Sequence, residues 1–392
     1  MARTLGMAAI LLALAFPASG AQTAATQGAE GRGGVVGKGL LVTGPREMSS
    51  FPEDIKKDPL VAGFQVSLGW SGLEPEKGQY DWSEIDQLLA ECETWDKQAA
   101  FKFQTVGGKV MSDGQLARGK GQAGPDVEGR NTTTPAWLFD DPEVKRFGGI
   151  QTPKGKLPFY PVFWDPAYQR HLEDFIAAFA KRYDGHPRIE YIRMGGWQVG
   201  TNEPSFYGGA SEFLLDQFAA EGMKIATDKN MKEAIRGLAG DSPYSKAVIS
   251  MIDIWRKHFT RTPLAATIHF SKEAGSFEEA MMNHCFAHKI MIMNTGLNES
   301  DHKEARTAYR EARDQHDCKV GWGGITHLGS KLSKEELAAK GHSLRLEAVM
   351  QGIGDDSAPD YAPASKASYL VFGFDFTEDR EAMQWAAEHL VE

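Results

Sequence analysis

Asn202 and Glu203 close a stretch, RIEYIRMGGWQVGTNEP (Arg188 to Pro204), in which an apolar strand-like run of Ile189, Tyr191, Ile192 and Met194 enters a glycine-rich turn. Pro204 disfavours helical backbone at the residue before it, so no helix starts at once and the pair is left at a strand end. The pattern presents a carboxylate, which can hold or move a proton, beside an amide, which can hydrogen-bond, at the mouth of a parallel sheet. His269, at the end of another apolar run (Thr262 to His269), is placed either to reach a substrate or to serve as a structural histidine. His284 and His288 stand at i and i+4, but the chain has no HExxH, and the pair reads as a helix surface. Three cysteines, Cys92, Cys285 and Cys318, are too few and too scattered for a disulfide framework or a zinc site. No metal and no cofactor is expected.

The elements that must hold Glu203 can be read around it. Asp165-Pro166 makes an N-cap and first turn, and Leu172, Phe175, Ile176, Phe179 and Tyr183 fall on one helical face. A short Asp184-Gly185-His186-Pro187 turn then feeds the strand, which is one αβ step of an α/β fold. Upstream, Gly37–Thr43, Gly63–Leu68 and Ala99–Gln104 read as strands 1 to 3. Asp81 and Glu84 form a capping box for a helix that buries Ile85, Leu88, Leu89 and Cys92. Downstream, Thr262–His269 and Lys289–Met293 are strands 5 and 6, and Ser368–Phe376 is strand 8, each set off by helices. The seventh strand is either Lys319–Thr326 (KVGWGGIT) or Ser343–Val349 (SLRLEAV). Eight strands with helices between them predict a (β/α)8 TIM barrel, whose site lies at the C-terminal strand ends.

The connection from Thr105 to Pro166 is far longer than an ordinary βα loop. Its many aromatics predict a folded insertion after strand 3, a lid or cleft wall. From Val106 to Pro158 it holds eight Lys/Arg against six Asp/Glu. That is either a solvated loop or a surface for anionic substrate groups.

At the N-terminus, Arg3, an apolar run from Leu5 to Phe16 and small residues to Ala21 read as a signal peptide over residues 1–21. The expected location is therefore secreted or periplasmic. Residues 22–36 are a flexible lead-in, and residues 37–392 a single catalytic domain. The net charge of -10 gives no reason to expect nucleic acid, and no later segment is apolar enough to span a membrane. Nothing in the sequence specifies an oligomeric state.

Four motifs occur in order between Gly63 and Pro204, roughly a third of the chain: WSGLEPEKGQYDWSEID after strand 2, TPAW after strand 3, FWDP with a helix ending KRYDGHP, and TNEP after strand 4. In this the chain resembles the retaining (β/α)8 glycoside hydrolases of clan A, near the β-galactosidase-like and β-glycanase-like members. The resemblance implies an enzyme acting on β-linked poly- or oligosaccharide. Glu203 would be its general acid/base, and Asn202 would bond the sugar hydroxyl next to the anomeric carbon. Such an enzyme needs two carboxyls about 5 to 5.5 Å apart. Its acid must also stay protonated near neutral pH, which takes an apolar wall. Trp197 and Phe206-Tyr207 are candidates for that wall.

The nucleophile belongs at the end of strand 7. If that strand is SLRLEAV, alternation turns Glu347 into the mouth beside Arg345, which would keep it ionised. If the strand is KVGWGGIT, Glu347 is a helical surface residue, and Glu299 after strand 6 is the alternative. Trp70, Trp137, Trp164 and Trp322 are either sugar platforms or core. Glu74 reads as a structural loop carboxylate. Where the family often has a tryptophan at the end of strand 8, this chain has Phe374 and Phe376. Two rivals stand beside the enzyme reading: a non-catalytic carbohydrate-binding barrel, which would lack a second convergent carboxylate, and a metal-dependent barrel hydrolase.

Overall fold

The computed structural model describes residues 39–43, 51–105, 133–148, 159–197, 215–222, 238–268, 275–294, 302–325 and 333–392, with short strand pieces at 109–110, 116–117, 151–152 and 155–156. Eight strands carry the fold: β1 (Leu40–Thr43), β2 (Gly63–Gly69), β3 (Gln98–Gln104), β4 (Ile189–Arg193), β5 (Leu264–Thr267), β6 (Met291–Asn294), β7 (Val320–Ile325) and β8 (Tyr369–Phe372). Each is parallel to its sequence neighbours, and β8 closes on β1. Helices follow the strands in turn: α1 (Glu53–Lys57), α2 (Ser83–Thr94), α3 (Pro166–Tyr183), α4 (Pro243–His258), α5 (Phe277–Ala287), α6 (His302–His316), α7 (Leu344–Ile353) and α8 (Arg380–His389). The chain is a (β/α)8 barrel, and residues 35–392 form one compact unit. The expected signal peptide lies outside the described residues.

Strand alternation makes two cores. Outward-facing Phe64, Val66, Leu68, Phe101, Phe103, Ile192, Ile292, Trp322 and Leu370 join the helix-side core. Inward-facing Leu41, Ala100, Tyr191, Ala265, Met291, Met293, Tyr369 and Val371 fill the barrel. This period of two is what a closed sheet with a packed interior demands.

The seventh strand is Val320–Ile325, and the reading of Ser343–Val349 as that strand is corrected. Val320 and Trp322 point outward into the core. Gly321 and Gly323 point inward, where a side chain would crowd the residues that fill the barrel. A Cβ on Gly323 would lie 2.7 Å from Arg193 Nη1, and one on Gly321 3.1 Å from Tyr369 Cβ. Ser343 instead caps α7, accepting from the Leu346 N–H at 2.9 Å. Leu346, Val349 and Ile353 then bury at helical spacing. The apparent alternation of Leu344 and Leu346 covered too short a window to separate period 2 from period 3.6; Leu344 is exposed.

Between β3 and α3 the described part of the insertion is folded. Arg146–Gly148 pairs antiparallel with Phe159–Pro161, and Leu138, Phe139, Phe147, Tyr160 and Phe163 are buried. Thr134 Oγ1 donates to the Thr105 carbonyl at 2.7 Å, and Ser71 N to that of Thr133 at 2.9 Å, so the insertion is tied to the ends of β2 and β3. Just before α2, Asp81 accepts from the Ser83 N–H and hydroxyl in a tight turn; the N-cap residue is Trp82, which makes no side-chain cap bond, so the expected capping box is corrected. Among the described residues no helix is long and apolar enough to cross a membrane.

Candidate active site

The inner face of β4 sets the floor. Tyr191 and Arg193 are both fully enclosed; Tyr191 donates to Gln65 Oε1 at 3.2 Å, and Arg193 Nε to Thr267 Oγ1 at 2.6 Å. Arg193 and Thr267 escaped the sequence reading. The signal was present, because alternation through IEYIR puts Arg193 on the same face as Tyr191, but a buried arginine is rare enough to discourage the inference.

Past Arg193 the chain is held by three successive carbonyls. The Trp255 indole N–H donates to Gly195 O at 2.8 Å, the Tyr168 hydroxyl to Gly196 O at 2.7 Å, and the Tyr244 hydroxyl to Trp197 O at 2.9 Å. The donors come from α3 and α4, the helices on either side of β4. Gly196 takes φ 132°, and a Cβ there would lie 2.7 Å from Leu172 Cδ2, so residue type and backbone conformation are both dictated. Each carbonyl leaves the sheet ladder at this point and must find a donor in an apolar surround, where an unpaired one costs about 1 to 3 kcal/mol. The segment that leads to Asn202 and Glu203 is thus anchored up to Trp197. Asn202, Glu203, Tyr207, His269 and Glu299 lie outside the described residues.

Several expected site residues are placed elsewhere. Trp70 is fully buried and presents no face to a sugar, which leaves its core reading; Trp197 is fully buried as well, while Glu203, the acid it was expected to wall, lies outside the described residues. Trp70 closes a turn: its indole N–H donates to Glu74 Oε2 at 2.7 Å, Gly78 N donates to Glu74 Oε1 at 2.8 Å, and Trp137 Nε1 reaches the Glu74 carbonyl at 3.1 Å. Burial pushes the Glu74 carboxyl up, and the two N–H donors oppose it only in part. Glu74 is structural, as the sequence implied. Trp137, half-buried, packs edge-on against Trp70 and His171. Trp164, also half-buried, stacks on Phe147 and meets Tyr244 edge-on. Trp322 faces the helix layer against Tyr309.

Glu347 is not at a strand end. It sits in the first turns of α7, fully enclosed, and accepts from Tyr361 Oη, Gln351 Nε2 and His342 Nδ1, each at 2.8 Å, with Lys340 Nζ at 3.5 Å. Burial alone would push its carboxyl up; the bonds from Gln351, His342 and Tyr361 outweigh it and hold the pKa below the ordinary value. Its ionised state is therefore stable, but the charge ties α7 to the loop before β8. Arg345 faces away from it and pairs with Asp375 and Glu378 beyond β8. Its expected place beside Glu347 in the mouth is corrected with the helix. β7 itself, VGWGGI, carries no carboxylate.

Residues 62–205 match the family model Glyco_hydro_42, described as Beta-galactosidase. No curated protein sequence matches the chain. Similar solved structures include the catalytic domain of β-amylase from Paenibacillus polymyxa, at 11% identity and a TM-score of 0.49, covering 90% of this chain and 98% of that one. The β-galactosidase from the psychrophilic Marinomonas ef1 is similar at 12% identity and a TM-score of 0.46, over 85% of this chain; this chain spans about half of that one (53%).

Proposed function

We propose that this chain, which is a β-galactosidase-like glycoside hydrolase built on a (β/α)8 barrel, cleaves β-glycosidic bonds with retention and uses Glu203 as general acid/base. One observation carries the assignment of Glu203: the family match runs from residue 62, at the start of β2, to residue 205, two positions past Glu203. The acid would protonate the departing glycosidic oxygen and then, as base, take a proton from the water that completes turnover. Asn202 beside it would hold the neighbouring sugar hydroxyl.

With Glu347 in the helix layer and no carboxylate on β7, the second carboxyl falls to Glu299, in NTGLNES after β6. The folded insertion after β3 supports a cleft with several subsites, hence an oligo- or polysaccharide. Its surplus of basic residues suits substrates with sulfate or uronic-acid groups. The leader-like first 21 residues support export from the cytoplasm, to the periplasm or beyond.

The test is proton NMR of the first product formed from a panel of β-linked glycans and aryl glycosides, with the wild type and Glu299→Ala. Retention should be seen, and Glu299→Ala should be inactive but rescued by azide, giving a glycosyl azide of inverted configuration. An inverted first product overturns the retaining assignment, and near-normal turnover by Glu299→Ala overturns Glu299 as the nucleophile. Saturable binding of a glycan with no hydrolysis of any substrate would make the barrel a carbohydrate-binding module.

A further inference from the structure

Three ligand-bearing side chains meet on the outside of the barrel, remote from the chemistry just proposed. Asp253 on α4, His284 on α5 and His288 at the C-terminal cap of α5 each place one ligand atom within 4.8 Å of the other two. His284 Nε2 already lies 3.0 Å from Asp253 Oδ1, and the two imidazole rings meet edge-on at 4.6 Å. Two ligands each about 2.0 to 2.1 Å from a tetrahedral ion stand about 3.3 to 3.4 Å apart, so the Asp253–His284 pair is already close to ligand spacing. His288 is exposed, and its ligand atom lies within 4.8 Å of the other two.

We propose that Asp253, His284 and His288 bind a divalent transition metal, of the zinc class, that staples α4 to α5. Imidazole at i and i+4 with one carboxylate selects zinc, nickel or copper over calcium and magnesium, which take oxygen donors. Water would complete the coordination on the solvent side. Arg256 opposes binding, since its Nη1 donates to the same Asp253 Oδ1 at 3.0 Å. Its side chain is about one-third exposed (34%) and can turn to solvent when the ion takes that oxygen.

The position defines the role. Both helices run back from the mouth toward the opposite end of the barrel, and His284 and His288 lie in or beyond the last turn of α5. A metal here joins two neighbouring βα units without reaching the substrate. It binds the folded chain and not the unfolded one, so it raises stability as its concentration rises above the dissociation constant.

The full chain, stripped with EDTA and dialysed, is titrated with zinc chloride by calorimetry while its Tm is followed. One saturable site and a Tm that climbs with the logarithm of zinc concentration are expected, with no rise for magnesium. His284→Ala and His288→Ala should each weaken zinc at least about tenfold, while their zinc-free Tm and their hydrolytic rate stay at the wild-type values. No saturable binding, or zinc affinity unchanged in the double variant, overturns the site. Loss of hydrolysis on zinc removal that returns with zinc overturns the structural role.

Discussion

The phenol of Tyr168 donates its hydrogen to the Gly196 carbonyl at 2.7 Å, which makes the first turn of α3 a brace for the segment that carries Glu203, seven residues on. Trp255 and Tyr244 brace the carbonyls on either side. Tyr168→Phe keeps the ring and removes only the donor. It should lower stability by about 1 to 2 kcal/mol and lower kcat more than it raises KM, because a loosened acid is misplaced in the transition state. Gly196→Ala should be worse on both counts, since Leu172 must move and φ 132° is hostile to a side chain. Wild-type kcat for a folded Tyr168→Phe enzyme would show that the brace does not govern the acid.

Glu347 supplies a prediction opposite in kind. Glu347→Ala leaves Tyr361, His342, Gln351 and Lys340 facing a hole, and should cost roughly 3 kcal/mol. Because its folded pKa is depressed, its contribution is present above the ordinary carboxylate range and is lost as pH falls through the folded value. The variant should therefore show a lower denaturant midpoint at neutral pH, a gap that narrows in acid, and near-normal turnover per folded molecule. Loss of turnover with an unchanged midpoint would return Glu347 to the chemistry.

These two residues also show what the sequence can and cannot say. The α3 stripe, the Asp165-Pro166 cap and the positions of seven strands were legible because each had a long window or a strong punctuator. Strand 7 was ambiguous because Gly321 and Gly323 look like breakers. Their reason is tertiary: they make room for Tyr369, Met293 and Arg193. SLRLEAV looked like a strand because seven residues fit two periods. Residue type left Trp70 open between sugar platform and core, because it does not distinguish an aromatic that faces a cleft from one that anchors a turn; only the partner Glu74 does that.

Asp184, in the DGHP turn before β4, accepts from Thr260 N and Oγ1, Arg261 N and Thr262 N at 2.8 to 3.1 Å. Burial pushes its carboxyl up, but these bonds prevail and lower the pKa to about 2. The contribution, about 2 kcal/mol, is complete above the unfolded pKa of about 3.9 and is lost as pH falls toward the folded value. Asp184→Asn should be less stable than wild type at pH 7, with the difference closing between about pH 4 and pH 2. A difference that does not change with pH would mean that the turn is held by shape and not by charge.

The central claim is that Glu203 gives the leaving oxygen its proton, and paired kinetics on Glu203→Gln test it most directly. A positioned acid contributes about 10²- to 10⁴-fold, and only where the leaving group needs a proton. Turnover of an unactivated β-linked oligosaccharide should fall by about that factor, while the first step on a dinitrophenyl β-glycoside should fall by less than about tenfold. Equal losses on both substrates, or no loss on the oligosaccharide, would contradict the assignment.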